Sequence, residues 1–160
     1  MKLIAAAVIV AAGSLLGGAA AETRRRAYLQ ARGVLRLLYS LRTGIDYTRA
    51  DLFSVFAQFS DPALEECGFL GELMQDVDAG RGWERACGRL SPQTPMLAEI
   101  RSLGAGLGMS DAETQIALLS KLASRLEESV EETRRELSAK ASSYRLLGAL
   151  AGCMAAVIIY

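Results

Sequence analysis

Two runs without a charged residue frame this chain, Leu3–Ala21 (LIAAAVIVAAGSLLGGAAA) and Leu146–Tyr160 (LLGALAGCMAAVIIY). A helix needs about 20 apolar residues to cross the hydrocarbon core of a bilayer. The first run, at 19 residues, is long enough. The second has 15 and falls short unless Ser142–Tyr144 contribute. Apart from Lys2, every charged side chain lies between the two runs. The expected layout is all-α: a transmembrane helix over 3–21, a helical-bundle domain over 22–145 and a second transmembrane helix over 146–160.

The flanking charges orient this hairpin. Arg24, Arg25 and Arg26 follow the first run at once, with Arg32 and Arg36 behind them, whereas only Lys2 precedes it. Arg134, Arg135, Lys140 and Arg145 precede the second run, and no charge follows. Basic flanks stay on the cytoplasmic side, so the middle domain is expected in the cytosol, with Arg24, Arg25, Arg26 and Arg145 at the headgroups. Gly13 with Gly17, and Gly148 with Gly152, place small residues four apart on one face of each run, a pattern that lets transmembrane helices pack closely. A competing reading treats Ala19-Ala20-Ala21 as a signal-peptide cleavage site before Glu22 and yields a secreted helical binding domain. The length of the run and the arginines behind it favour two retained anchors.

Within the middle, apolar residues recur at helical rather than strand spacing. Tyr28, Ala31, Leu35, Leu38 and Ile45 extend the first helix to about Thr43, with Gly44 at its end. Thr48 is placed to cap a helix carrying Leu52, Val55, Phe56 and Phe59 on one face. Asp61-Pro62 reads as a cap followed by proline at the first helical position. The helix behind it bears Leu64, Cys67, Gly71, Met74 and Val77 and stops at Gly80. Trp83, Ala86, Cys87 and Leu90 fit a short helix, and Thr94-Pro95 opens another with Met96, Ile100, Leu103 and Leu107. Trp83 is either a core residue or an interface anchor. The longest pattern runs Ala112, Ile116, Leu119, Ala123, Leu126, Val130, Thr133 and Leu137, a seam in alternating steps of four and three. It packs a bundle core in its first half; from Glu127 onward the seam is narrower and more polar, as expected of a contact with a partner (another subunit or a second copy of the chain) or of a membrane-proximal stalk.

The glycine-rich stretch LGAGLGMSD, Leu103–Asp111, invites comparison with a phosphate-binding loop. No lysine follows the glycines, and the segment before them is helical, so neither nucleotide motif is met. The stretch reads instead as a corner between helices. Gly104 and Gly108 end one helix, and Ser110 with Glu113 forms a capping box for the next. Asp111 and Gln115 then stand exposed on a stiff corner, either as partner-binding candidates or in capping and solvation alone, with Asp111 in the first turn near the positive end of the helix dipole.

Composition narrows the chemistry. The chain has no histidine, which removes the commonest metal ligand and general base. Its three cysteines, Cys67, Cys87 and Cys153, have no paired spacing and read as reduced thiols. Basic and acidic residues balance at 18 each, so nothing points to nucleic acid. Acidic pairs such as Glu65/Glu66 and Glu127/Glu131 sit on solvated helix faces, unlike carboxylates tuned for acid–base work. No catalytic residue, metal site or cofactor is expected.

The corner, written LGxxLGxSDxxxQ over Leu103, Gly104, Leu107, Gly108, Ser110, Asp111 and Gln115, resembles the stage III sporulation protein AB family. So do Tyr144-Arg145-Leu146-Leu147-Gly148, the stretch TGIDY at Thr43–Tyr47, and Trp83. The chain departs from that pattern at Gly44, where glutamate is usual, at Ala50-Asp51 in place of threonine-proline, and at Gly82 in place of alanine. The resemblance implies a membrane component of the channel between mother cell and developing spore, in the mother-cell outer forespore membrane. It implies a cytosolic domain similar to those of type II secretion F-type platform proteins. It also implies contact with the ATPase of the apparatus, stage III sporulation protein AA, and with other channel subunits.

Overall fold

The computed structural model describes the backbone at residues 2–48, 51–76, 78–108 and 111–159, and side chains at 21–47, 51–76, 78–108 and 111–139. Helix α1 spans Lys2–Thr43 and runs into a π-helical turn, Gly44–Thr48. Five short helices follow: α2 Leu52–Gln58, α3 Pro62–Glu66, α4 Phe69–Leu73, α5 Ala79–Cys87 and α6 Leu97–Leu103. A 3-10 turn at Gly104–Gly106 leads to α7, Ala112–Ile159. The described residues contain no strand, as the helical spacing requires.

Helices α1 and α7 make the most extensive packing in the molecule. Ala31, Val34, Leu38 and Leu41 of α1 and Leu119, Ala123, Leu126 and Val130 of α7 are all buried. The Tyr39 hydroxyl donates to Glu127 Oε2 at 2.8 Å, and further along Arg134 lies within electrostatic reach of Tyr28. Residue numbers fall on one helix as they rise on the other, so the two run antiparallel. Helices α2–α6 close the core with Phe56, Leu64, Phe69, Leu73, Trp83, Ile100 and Leu103.

Two polar contacts fasten the short helices to α1. Asp61 is completely buried; its Oδ1 accepts from the backbone of Ala63 and Leu64 at 3.0 and 3.2 Å, capping α3. Its Oδ2 has no hydrogen bond of good geometry and meets the Arg36 guanidinium as an ion pair. Gly33 makes room for this arrangement, since a Cβ there would stand 2.8 Å from Asp61 Oδ1. The amide oxygen of Gln30 accepts from Ser91 N at 2.8 Å and Thr94 Oγ1 at 3.3 Å, holding the loop before α6.

Several boundaries differ from the sequence expectation. The helix after Asp61 is two helices, because Gly68 adopts φ +80° between them and resets the phase. Leu64 of the expected stripe is buried; beyond Gly68, Phe69 and Leu73 are buried, while Gly71 and Met74 of the expected stripe are exposed. Gly80 lies inside α5, whose cap is Asp78. The cap of α2 is Asp51, not Thr48, which the π-helical turn absorbs. Helix α6 starts at Leu97, two residues past Pro95, after Met96 at φ 54°. Val77 lies outside the described residues.

Among the described residues no helix is long and apolar enough to cross a membrane. The side chains of 2–20 and 140–160, which hold both expected anchors, lie outside the described residues. So do those of Gly13, Gly17, Gly148, Gly152 and Arg145.

Candidate interaction surfaces

The glycine-rich corner is built on a backbone-to-backbone contact. A Cβ on Gly80 of α5 would stand 2.7 Å from the Gly104 carbonyl oxygen, and one on Gly104 would stand 3.0 Å from the Trp83 ring. The two glycines thus let α5 and the 3-10 turn touch with nothing between them. Gly104 itself is right-handed; the left-handed residue is Gly108, at φ +77°. Leu103 and Leu107 drop into the core on either side.

Asp111 takes the cap position of α7. Its carboxylate accepts from the Thr114 backbone at 3.1 Å and from the Thr114 hydroxyl at 2.8 Å. These bonds hold its pKa below the usual value for aspartate. The working cap is therefore one residue later than the Ser-x-x-Glu box; Ser110 lies outside the described residues.

Of the expected partner-binding residues, only Asp111 is at the surface. Gln115 is 8% exposed, four residues before Leu119 on the buried stripe of α7. Trp83 is completely buried: its ring packs edge-on against Phe69, and its indole N–H donates to the Ile100 carbonyl at 2.7 Å. Trp83 thus takes the core position of its two expected readings, whereas Gln115 corrects the expectation, and both follow from helix phase. Trp83 faces the glycine contact, and Gln115 shares a face with Leu119, Leu126 and Val130.

An open groove between α6 and the first turns of α7 was not legible as a site. About 190 Å³ in volume, it has Leu103, Gly106, Leu118 and Leu122 in its walls and Glu99, Lys121 and Arg125 at its rim. Leu118 remains 41% exposed there, beside the buried Leu119 and Leu122. A second open groove, lined by Tyr39, Thr43, Val55 and Phe59, separates the end of α1 from α2.

Arg24, Arg25 and Arg26 are exposed. Arg26 bonds to Glu22 at 3.1 Å and approaches Glu66 of α3 at 3.7 Å, which ties the basic flank to the folded domain. Arg25 is 3.9 Å from Glu22.

The acidic pairs are already engaged. Glu65 accepts from the Ser60 hydroxyl, Glu66 meets Arg26 and Glu127 accepts from Tyr39. Arg134 and Arg135 clamp Glu131; the hydrogen bond from Arg134 is the main reason its carboxyl is held below the usual range. No group of three metal-ligating side chains gathers among the described residues.

A family model described as stage III sporulation protein AB matches residues 2–160 of the chain. Neither the curated proteins nor the solved structures contain a match to it.

Proposed function

The chain belongs to the stage III sporulation protein AB family, which gives it a role in stage III sporulation, and from that premise we propose that it is a non-enzymatic membrane platform of the sporulation channel. Two transmembrane helices, 3–21 and 146–160, anchor a cytosolic helical bundle to the mother-cell outer forespore membrane. The bundle couples the AA-type ATPase of the apparatus to subunits in the bilayer.

The antiparallel register of α1 and α7 carries this reading. Tyr39 stands opposite Glu127, and Tyr28 is near Arg134. Continuing that register sets Ala21, where the first uncharged run ends, level with the residues around Ser143, where the second is about to begin. Both runs thus leave the domain from one end. Arg24, Arg25 and Arg26 follow Ala21 within about 8 Å along α1 at 1.5 Å per residue, a level at which a basic residue is worth about 1 kcal/mol against an anionic surface. Helix α1 passes through Ala21–Glu22 without a break, and Glu22 pairs with Arg26, which favours a retained first anchor over cleavage.

The glycine-rich corner lies at the opposite end. About 34 residues of α7 separate Asp111 from Arg145, or roughly 50 Å at 1.5 Å per residue. That reach presents Asp111 and the Leu118 groove to a cytosolic motor well clear of the lipid. The test is binding of the purified ATPase to the full chain in nanodiscs. Leu118→Glu and Asp111→Lys should each weaken binding about tenfold, while Met74→Glu, also at an exposed position, should leave it unchanged. ATPase binding that ignores both corner variants would remove the platform surface from that end.

A further inference from the structure

We infer that the groove between α6 and α7 receives a helical segment of the cytosolic partner, one that carries a leucine or phenylalanine with a carboxylate one turn away from it. The inference rests on the platform reading, which turns this end of the domain toward the motor, and adds the chemistry by which the motor is held.

Gly106 keeps the groove open. A Cβ there would stand 3.4 Å from Leu118 Cδ1, so a longer side chain would lie over Leu118 and fill the space. Leu118 is left 41% exposed, while Leu103 and Leu122 beside it are buried. The space measures about 190 Å³. An apolar cavity of about 150 Å³ holds one benzene ring. This groove therefore has room for a single large apolar side chain, with the backbone that carries it lying along the rim. An amphipathic helix presents a side chain in that way.

The rim selects the sign of the guest's charge. Arg125 approaches Glu99 at 3.8 Å across the groove, and those two charges offset each other. Lys121 is exposed and has no ion-pair partner among the described residues. Arg101, exposed beside Ser102 in the α6 wall, adds a second positive charge nearby. The acidic Glu113 and Glu128 of α7 stand about 10–12 Å from Lys121 along the helix axis, beyond the ~8 Å screening length at physiological ionic strength. Lys121 lies one turn past Leu118. Side chains three or four residues apart on a guest helix are about 5–6 Å apart, so a carboxylate one turn from the apolar anchor reaches Lys121 while the anchor covers Leu118.

Other occupants fit less well. On the membrane-hairpin reading the bilayer is too far away, because the stretch of α7 from Leu118 to Ser143 is roughly 37 Å long. A second copy joined about a two-fold axis through Leu118 would bring lysine toward lysine. A partner helix with an acidic residue next to its anchor meets both features of the groove at once.

The test uses the full chain in nanodiscs and the purified ATPase. A photo-reactive p-benzoylphenylalanine at position 118 is irradiated in the complex, and the cross-linked ATPase peptide is read by mass spectrometry. The peptide should carry Asp or Glu three or four residues from the attached residue. Lys121→Glu should weaken binding about tenfold and Lys121→Ala about threefold. Gly106→Leu, which fills the groove without changing its charge, should also weaken binding about tenfold while keeping the circular dichroism of the parent chain. A cross-linked segment without a carboxylate at that spacing, or binding that ignores Lys121→Glu, overturns this chemistry alone. ATPase that binds and responds to Asp111→Lys, yet gives no cross-link from position 118, overturns occupancy of the groove. ATPase that does not bind the parent chain overturns the platform reading and this inference with it.

Discussion

Three glycine-to-alanine substitutions separate close contact, helix propensity and backbone strain as reasons for glycine in the short helices. At Gly80 the new Cβ would meet the Gly104 carbonyl oxygen at 2.7 Å, a contact between two backbones that no side-chain rotation relieves. Overpacking of this kind costs about 1–3 kcal/mol. Lower entropy of the unfolded chain returns about 0.4–1 kcal/mol, so Gly80→Ala should destabilise by about 1–2 kcal/mol. Gly71, exposed inside α4, has nothing within 4 Å of its would-be Cβ. There only the entropic and helix-propensity gains remain, and Gly71→Ala should stabilise by about 0.5–1 kcal/mol. Gly68 is equally open, but its φ of +80° makes Gly68→Ala cost about 1 kcal/mol through the backbone alone. Trp83, the single tryptophan, lies against Gly104 and reports the contact directly. Urea unfolding of the full chain in detergent, followed by Trp83 fluorescence and far-ultraviolet circular dichroism, measures all three. Gly80→Ala as stable as Gly71→Ala would refute the close-contact argument.

Further outcomes follow from the buried polar groups. Asp61→Ala removes the α3 cap and leaves Arg36 without its carboxylate, so it should lose about 1–3 kcal/mol in the same unfolding experiment, and Asp61→Asn, which still caps, should lose less. Burial pushes the Cys87 thiol to about 12, whereas Cys67 is half-buried and raised less far; at pH 8 an alkylating reagent should modify Cys67 well before Cys87, which should react at the rate of unfolding. The hydrogen bond to Glu127 raises the Tyr39 hydroxyl above its ordinary 10.0, with burial and the Glu127 charge adding to it. A group raised on folding stabilises fully below its unfolded pKa and loses that contribution as pH climbs through the folded value. Stability should therefore decline above pH 10 less steeply in Tyr39→Phe than in the parent chain, as followed by thermal unfolding across pH 9–11.

The long elements were legible because their signals are redundant. Seven apolar positions from Leu119 back and forward along α7 repeat one phase, and no single residue decides it. Asp61-Pro62 was likewise unambiguous, since a cap and a proline at the next position agree. The short helices were harder. One left-handed residue, Gly68, shifts the phase between α3 and α4 and exchanges Phe69 and Leu73 for Gly71 and Met74 in the core. Periodicity alone does not reveal a positive φ. At the corner, glycine spacing located the turn but not its cause: Gly104 is small to clear Trp83 and Gly80, two segments brought together only by tertiary packing. Gln115 is polar, which suggests the surface, but its four-residue step to Leu119 puts it on the buried face. The groove beside Leu118 depends on how α6 meets α7, and no local pattern in either helix encodes it.

A platform of this kind requires both uncharged runs to enter one membrane with the domain on its cytosolic side. The decisive measurement is labelling of intact cells with an impermeant thiol reagent, in a background without the native cysteines, using Ser60→Cys at an exposed domain position and a cysteine added after Tyr160. Protection of position 60 together with reaction of the terminal cysteine is the expected result. Reaction at position 60 from outside would contradict it and make the chain an exported helical binding domain.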